Sequence, residues 1–86
     1  MQKSFMFYSD PQHGWLRVPL ANLRGVGVSL DMLSHYSYRK GDTIYLEEDC
    51  DAGVFIKAYR RINGNSPTFK DSYRNSPSHI RQMARI

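Results

Sequence analysis

The stretch YLEEDCDAGVFIKAYRRING, residues 45–64, carries the strongest helix signal in this chain. Asp49 or Asp51 is suited to the N-cap, and Asn63-Gly64 is a typical left-handed stop. Between them, apolar side chains recur at the three- and four-residue intervals of an amphipathic helix, at Val54, Phe55, Ala58, Tyr59 and Ile62. The sequence therefore predicts one main helix in this stretch.

Strands are predicted before this helix. Residues 4–8 and 15–18 are rich in aromatic and β-branched side chains, and the Asp10-Pro11 turn between them favours a hairpin. Alternation along the second of these strands places Trp15 and Arg17 on one face and the apolar residues next to them on the other.

The predicted fold class is α+β. A second strand pair is expected to turn at residues 40–42, which gives a small antiparallel sheet of three to four strands packed on one main helix within a compact domain, residues 1–64. Residues 65–86 are expected to form a basic C-terminal arm with short helices, because its two Ser-Pro pairs are typical helix starts. The strand at residues 4–8 is expected at a sheet edge, where a second copy could pair with it to give a homodimer.

Length and composition restrict the class of protein. A chain of 86 residues accommodates one domain, and its 41% apolar and 13% aromatic residues are sufficient for a core. The apolar runs are too short to cross a bilayer, and the first ten residues lack the long apolar segment of a secretory signal. One cysteine cannot form an intramolecular disulfide. We therefore expect a soluble cytoplasmic protein without a membrane partner.

Charge is distributed unevenly along the chain. Residues 1–51 carry five basic and seven acidic residues, a net charge of −2, whereas residues 52–86 carry seven basic residues and one acidic residue, a net charge of +6. The basic side chains are either an ordinary solvated surface or a site for a partner or a nucleic acid. The basic candidates are Arg60, Arg61, Lys70, Arg74, Arg81 and Arg85, and the candidates for aromatic contacts are Tyr36, Tyr38 and Tyr73. The sequence contains no RNP-like pattern, helix-turn-helix signature or glycine-rich phosphate loop.

Four carboxylates surround the start of the predicted helix, namely Glu47, Glu48, Asp49 and Asp51, here called the acidic junction. The favoured interpretation is that they cap the helix and oppose its dipole, which contributes about 0.3–1 kcal/mol per group. The alternatives are a contact patch for a basic partner and a metal or catalytic site. The spacing matches neither a calcium loop nor a zinc site. We therefore expect no cofactor.

Cys50, at the predicted helix start, and His13, in the predicted turn, are the candidates for reactive side chains. A helix N-terminus lowers the pKa of a thiol, but the acidic neighbours of Cys50 oppose thiolate formation. A nucleophilic thiol also needs a base, and only folding could bring a histidine to it. The alternatives are a small packing role for Cys50 and either turn stabilisation or a ligand pocket for His13. The sequence displays no convergent catalytic set, and we expect no enzyme.

Two segments, SDPQHGWLRVP and YSYRKGDTIYLEEDCDAGVF, together resemble a group of small uncharacterised proteins encoded by bacteriophages, prophages and plasmids of proteobacteria. In that group a His-Gly-Trp-Leu strand is followed by a Leu-rich helix and a YLEEDCDA strand-to-helix junction. The resemblance covers residues 8–58, and the YLEEDCDA string is its specific part. It implies an accessory protein of a mobile element and carries over no functional residue.

Together these observations predict a function by binding, in the cytoplasm of a bacterial host. The first hypothesis is a phage protein that inhibits a host protein or ribonucleoprotein complex of a defence system, as anti-CRISPR proteins do, by docking through the acidic junction or the basic arm. Its basis is an analogy of size and origin. The alternative is a nucleic-acid-binding accessory protein that uses the basic arm.

Overall fold

The computed structural model describes residues 2–86 and has the expected α+β architecture. The strands are β1 (Ser4–Ser9), β2 (Gly14–Pro19), β3 (Tyr38–Lys40), β4 (Thr43–Glu47), β5 (Thr68–Tyr73) and β6 (Ala84–Arg85). The helices are α1 (Leu20–Gly25) and α2 (Ala52–Asn63), with short 3₁₀ helices at Leu30–Met32 and His79–Gln82. No helix of the described residues is long and apolar enough to cross a membrane.

Both predicted hairpins are confirmed. β1 pairs antiparallel with β2, and β3 pairs antiparallel with β4 across a turn at Gly41, whose φ of 60° suits a residue without a side chain. In the first turn, Asp10 Oδ1 accepts hydrogen bonds from the backbone N–H groups of Gln12 and His13, both at 3.0 Å. β2 then pairs with β4 and joins the two hairpins into one sheet.

The sheet is larger than predicted and is mixed. It has six strands in the order β5-β1-β2-β4-β3-β6, and β5 runs parallel to β1. The helix predicted after Ser66-Pro67 is wrong, because Thr68–Tyr73 form the strand β5. Phe69 and Tyr73, the residues expected on its apolar face, are 44% and 62% exposed. A short helix without a buried face is not stable, whereas pairing with β1 satisfies the backbone.

The position predicted for β1 is also wrong. β1 lies between β5 and β2, so both of its edges are used and it cannot pair with a second copy. The edges of the sheet are β5 and β6, and both come from the C-terminal arm.

Helix α2 covers one face of the sheet and confirms the main-helix prediction. Phe55, Ala58 and Tyr59 are buried, and the Phe5 ring on β1 meets the Phe55 ring edge to face with centroids 5.2 Å apart. Gly64 ends the helix with a φ of 79°, as expected. Ile62, which the pattern placed on the same stripe, is 60% exposed, so the buried stripe ends at Tyr59.

The opposite face of the sheet, called the open face, is crossed by residues 74–83, called the strap. The strap runs from the end of β5 to the start of β6 at the other edge of the sheet. Its residue Ile80 is buried against Trp15 and Tyr38 in a second apolar cluster, which Tyr8 and Tyr45 border. The protein therefore has a main core under its helices and a smaller core under the strap.

Candidate functional site

Two of the four carboxylates of the acidic junction hold the fold together. Glu47 is buried, and its Oε2 accepts hydrogen bonds from the backbone N–H groups of Asp49 at 2.8 Å and Cys50 at 3.0 Å. The carboxylate thus orders the turn that links β4 to α2. Glu47 therefore caps backbone N–H groups of the turn that precedes α2, and not those of the helix.

Asp51 occupies the N-cap position, but its carboxylate makes no capping hydrogen bond. Instead it is buried and reaches across to the loop before β3, where Oδ1 and Oδ2 accept from the Ser34 N–H at 2.9 Å and Oδ2 also accepts from the hydroxyls of Ser34 and Ser37. Asp51 is thus at the predicted N-cap position, but the prediction that its side chain caps the helix is wrong, because the carboxylate binds the loop. A carboxylate that accepts several hydrogen bonds from one loop fixes that loop to the helix start.

Glu48 and Asp49 are the two junction carboxylates that remain exposed. Burial first, and then the charges of Asp49 and Glu47, raise the pKa of Glu48. The four carboxylates do not converge, and the described residues contain no group of three or more His, Cys, Asp or Glu side chains that could hold a metal ion.

Cys50 and His13 line one cavity of about 360 Å³ together with Trp15, Tyr36 and Tyr38. Desolvation, followed by the charge of Glu47, raises the pKa of the Cys50 thiol, which disfavours the thiolate that a nucleophile needs. His13 Nδ1 lies 3.7 Å from Glu47 Oε1, and no hydrogen bond joins it to Cys50 in the described part of the chain. The Trp15 indole N–H is buried and has no acceptor among residues 2–86.

The basic residues expected to act together are separated by the fold. Arg60 and Arg61 are exposed in the last turn of α2, in the layer that covers the other face of the sheet. Arg85 lies over the Tyr38 ring, with 5.5 Å from its guanidinium carbon to the ring centroid. Of the six predicted side chains, Lys70 and Arg74 line two cavities on the β5 side of the open face. Arg81 and Arg85 instead line the cavity that contains Trp15, Tyr36 and Tyr38.

Arg81 is an internal anchor. Its Nε and Nη2 donate to the two carboxylate oxygens of Asp10 at 3.1 and 3.0 Å, and Asp10 Oδ2 also accepts from the Ser78 N–H at 2.8 Å. The Arg81 guanidinium also lies 5.3 Å from the centroid of the Trp15 ring. The hydrogen bond from Arg81 holds the pKa of Asp10 well below its usual range. These contacts fasten the strap to the turn between β1 and β2.

Three cavities adjoin one another beside the strap, two on the open face and one at the sheet edge formed by β3 and β6, and we call them the basic groove. The first, about 360 Å³, lies between Tyr8, Tyr45 and the strap; the second, about 270 Å³, includes Met6, Arg17 and Lys70. Sheet register connects these two, because Arg17 is directly opposite Tyr45. The third, about 330 Å³, shares His79 with the first.

The basic groove has a strongly one-sided charge. Its cationic side chains come from β2, β3, β5 and the strap, and they are Arg17, Arg39, Lys40, Lys70 and Arg74, with His79 beside them. No described aspartate or glutamate lines any of its three cavities. Positive side chains without counter-charges on a concave surface produce a focused positive potential.

Sequence reasoning did not identify Arg17, Tyr8, Tyr45 and His79 as site residues. A signal was present for Arg17, because alternation places it on the same face as Trp15. Its neighbour Lys70 is 53 positions away along the chain, and only the parallel pairing of β5 with β1 brings the two together.

Comparison with protein-family models, with curated protein sequences and with solved structures found no match to this chain.

Proposed function

We propose that the protein works by binding, without catalysis, and that its ligand is a nucleic acid lying in the basic groove. The observation that carries this proposal is a concave surface with five arginine and lysine side chains, two tyrosines in its first cavity and no carboxylate among the described residues. Arginine and lysine neutralise phosphates, and aromatic side chains on a sheet can stack on bases. Of the six basic candidates predicted from the sequence, the proposal keeps Lys70 and Arg74. It takes Arg17, Arg39 and Lys40 in place of the other four.

The distribution of acidic residues supports the same proposal. Asp10 is neutralised by Arg81, and Glu47 and Asp51 are buried with their own hydrogen-bond donors. Asp71 lies on β5 between Lys70 and Ser72, so it points to the other face of the sheet. A polyanion in the groove therefore meets no repelling charge from these four residues.

The test is binding of labelled oligonucleotides, measured by fluorescence anisotropy over a range of salt concentrations. We expect affinity to fall with salt, with a log–log slope of about −3 if four phosphates of a single strand are neutralised. Replacing Arg17 and Lys70 with glutamate should weaken binding by more than tenfold, because each charged hydrogen bond contributes about 1.5–3 kcal/mol.

The matched control is the double variant Arg60→Glu, Arg61→Glu, which reverses the same charge on the helical layer. We expect it to bind as the wild type does. Equal losses in both double variants would show attraction by net charge alone and would contradict a site in the groove.

A second candidate is the inhibition of a host protein or ribonucleoprotein complex, such as a bacterial defence system, by this chain as a phage-encoded accessory protein. The observation that favours it lies at the acidic junction. There the exposed carboxylate of Asp49 and the 63% exposed ring of Tyr36 line one cavity, and Glu48 is exposed next to them. An aromatic side chain beside two carboxylates suits a basic protein surface.

An affinity pull-down from bacterial lysate, with and without nuclease, separates the two candidates. A stoichiometric protein partner that survives nuclease and is lost with Tyr36→Ala and Asp49→Lys would favour the inhibitor. Recovery of nucleic acid alone, released by high salt, would favour the groove.

A further inference from the structure

We infer that the first cavity of the basic groove is a subsite for one unpaired nucleotide, so that the protein selects a single strand over a duplex. The inference rests on the proposed function and specifies its ligand. It depends on the size of the cavity, its two tyrosines, its arginine–histidine pair and the hydrogen bonds that fix its wall.

The cavity is the right size for one nucleotide and too small for a duplex. Its volume of about 360 Å³ lies at the lower end of the range for small-molecule sites, and its walls come from β1, β4, β5 and the strap. A duplex presents its phosphates outside and keeps the faces of its bases stacked within. Only an unpaired base can therefore enter a cavity of this size.

Two tyrosine rings provide surfaces for the base. Tyr8 and Tyr45 are half-buried, and their ring centroids are 6.3 Å apart with the planes inclined by 48°. Ile80 of the strap adds an apolar wall. Within residues 2–86, neither tyrosine hydroxyl nor that of Ser72 is hydrogen bonded to another residue, which leaves three polar groups for the edge of a base or a sugar.

Arg74 and His79 provide donors for the phosphate. Arg74 Nη1 lies 3.3 Å from His79 Nδ1. Because a guanidinium can only donate, this contact makes Nδ1 the acceptor and places the imidazole hydrogen on Nε2. The remaining guanidinium N–H groups of Arg74 make no hydrogen bond to another residue of the described chain and can donate to an anion, and no described carboxylate of this cavity competes for them.

The wall of the cavity is fixed without a ligand. The Ser78 N–H donates to the buried carboxylate of Asp10, and Arg81 binds the same carboxylate through two hydrogen bonds. At the other end, the Arg74 N–H donates to the Ser9 carbonyl at 3.0 Å. A cavity held in this way binds without first ordering a loop, which reduces the entropic cost of binding.

The experiment compares a labelled 12-nucleotide deoxythymidine strand with a duplex of the same length by fluorescence anisotropy at one salt concentration. We expect the single strand to bind at least tenfold more tightly. Tyr8→Leu and Tyr45→Leu should each weaken strand binding about 5- to 150-fold, and Tyr45→Phe, which keeps the ring, should bind nearly as the wild type does. Tyr73→Leu is the matched control, because Tyr73 is exposed outside the groove.

A second measurement does not depend on the stability of the variants. A strand carrying 5-iodouracil is irradiated with the wild-type protein, and the modified peptide is identified by mass spectrometry. We expect the cross-link at Tyr8 or Tyr45.

The outcomes distinguish the inference from the proposed function. Equal affinity for strand and duplex, or cross-links only at Tyr36 or Tyr73, would overturn the nucleotide subsite. The basic groove would still stand if the Arg17→Glu, Lys70→Glu variant lost binding to both. If the wild type bound neither strand nor duplex, the subsite and the proposed function would both be wrong.

Discussion

At the scale of single residues, Asp10 connects parts of the chain that are far apart in sequence. One buried carboxylate accepts hydrogen bonds from the β1–β2 turn and from Ser78 and Arg81 of the strap. Each of its oxygens has donors, so the charge is stabilised although water is excluded. The position of the strap on the open face therefore depends largely on this side chain.

We expect Asp10→Asn to lower the free energy of unfolding at neutral pH by about 1.5–3 kcal/mol, because it removes a charged hydrogen-bond acceptor from Arg81. The pKa of Asp10 is depressed in the folded protein, so its contribution is complete above the unfolded value and decreases as the pH falls below about 4. Urea unfolding at a series of pH values tests this. The difference between wild type and variant should shrink toward pH 2, and a constant difference would contradict the account.

Gly14 is required for close packing. A Cβ at this position would lie 2.8 Å from Phe7 Cε2 and 3.1 Å from Glu48 Oε2, which is too close for ordinary contact. We expect Gly14→Ala to destabilise the fold by about 1–3 kcal/mol through overpacking.

Gly53 is the matched control for this substitution. It lies near the start of α2, and a Cβ there would meet no atom of the described chain within 4 Å. Gly53→Ala should therefore stabilise the protein by about 0.5–1 kcal/mol through helix propensity. Thermal unfolding of both variants is the measurement, and shifts of the same sign would be inconsistent with this reasoning.

At the scale of elements, local signals in the sequence predict some parts of the fold and not others. α2 and the two hairpins follow from helical spacing, turn residues and alternation, all of which act within about ten residues. β5 and β6 depend on pairing with β1 and β3, which are distant in the chain. Their own sequences have weak alternation, so no local pattern identifies them.

The difference between local and long-range contacts also explains which site residues the sequence predicts and which it does not. The acidic junction stands out in the sequence because its residues are adjacent, yet two of its four carboxylates are buried in structural hydrogen bonds. The residues that line the basic groove come from all six strands and from the strap, and no single stretch of sequence contains them. Clustering along the chain therefore indicated a structural feature, whereas clustering in space gives the candidate site.

The edge strand β5 leads to a prediction about association. No strand of residues 2–86 pairs with its outer edge, and Lys70 and Asp71 lie at its centre. Charged residues on an edge oppose pairing with a second copy. We expect the wild type to be a monomer in sedimentation velocity, and the double variant Lys70→Val, Asp71→Val to associate at high concentration.

The control for association is Arg60→Val, Arg61→Val, which adds two apolar side chains on α2 and should remain monomeric. A wild-type dimer that Lys70→Val, Asp71→Val does not strengthen would show that another surface is used.

At the scale of the whole molecule, the strap determines whether the open face is a rigid site. Ile80 is 3% exposed and packs against Trp15, the single tryptophan, while α2 packs on the other side of the sheet. Tryptophan fluorescence therefore reports the strap, and circular dichroism at 222 nm reports mainly α2. If the two cores unfold together, the two signals must change at the same urea concentration.

We expect both signals to share one transition in the wild type. In Ile80→Ala both should shift together, with a loss of about 2–4 kcal/mol, because the substitution leaves a cavity in the smaller core. The strap has few residues, is anchored by Asp10 and leads into β6 of the same sheet. Its detachment alone would therefore expose Trp15 and Tyr38 to water and would release little chain entropy in return. A fluorescence transition at lower urea than the dichroism transition would contradict this. It would show that the strap detaches as a separate unit and that the wall of the groove is mobile before any ligand binds.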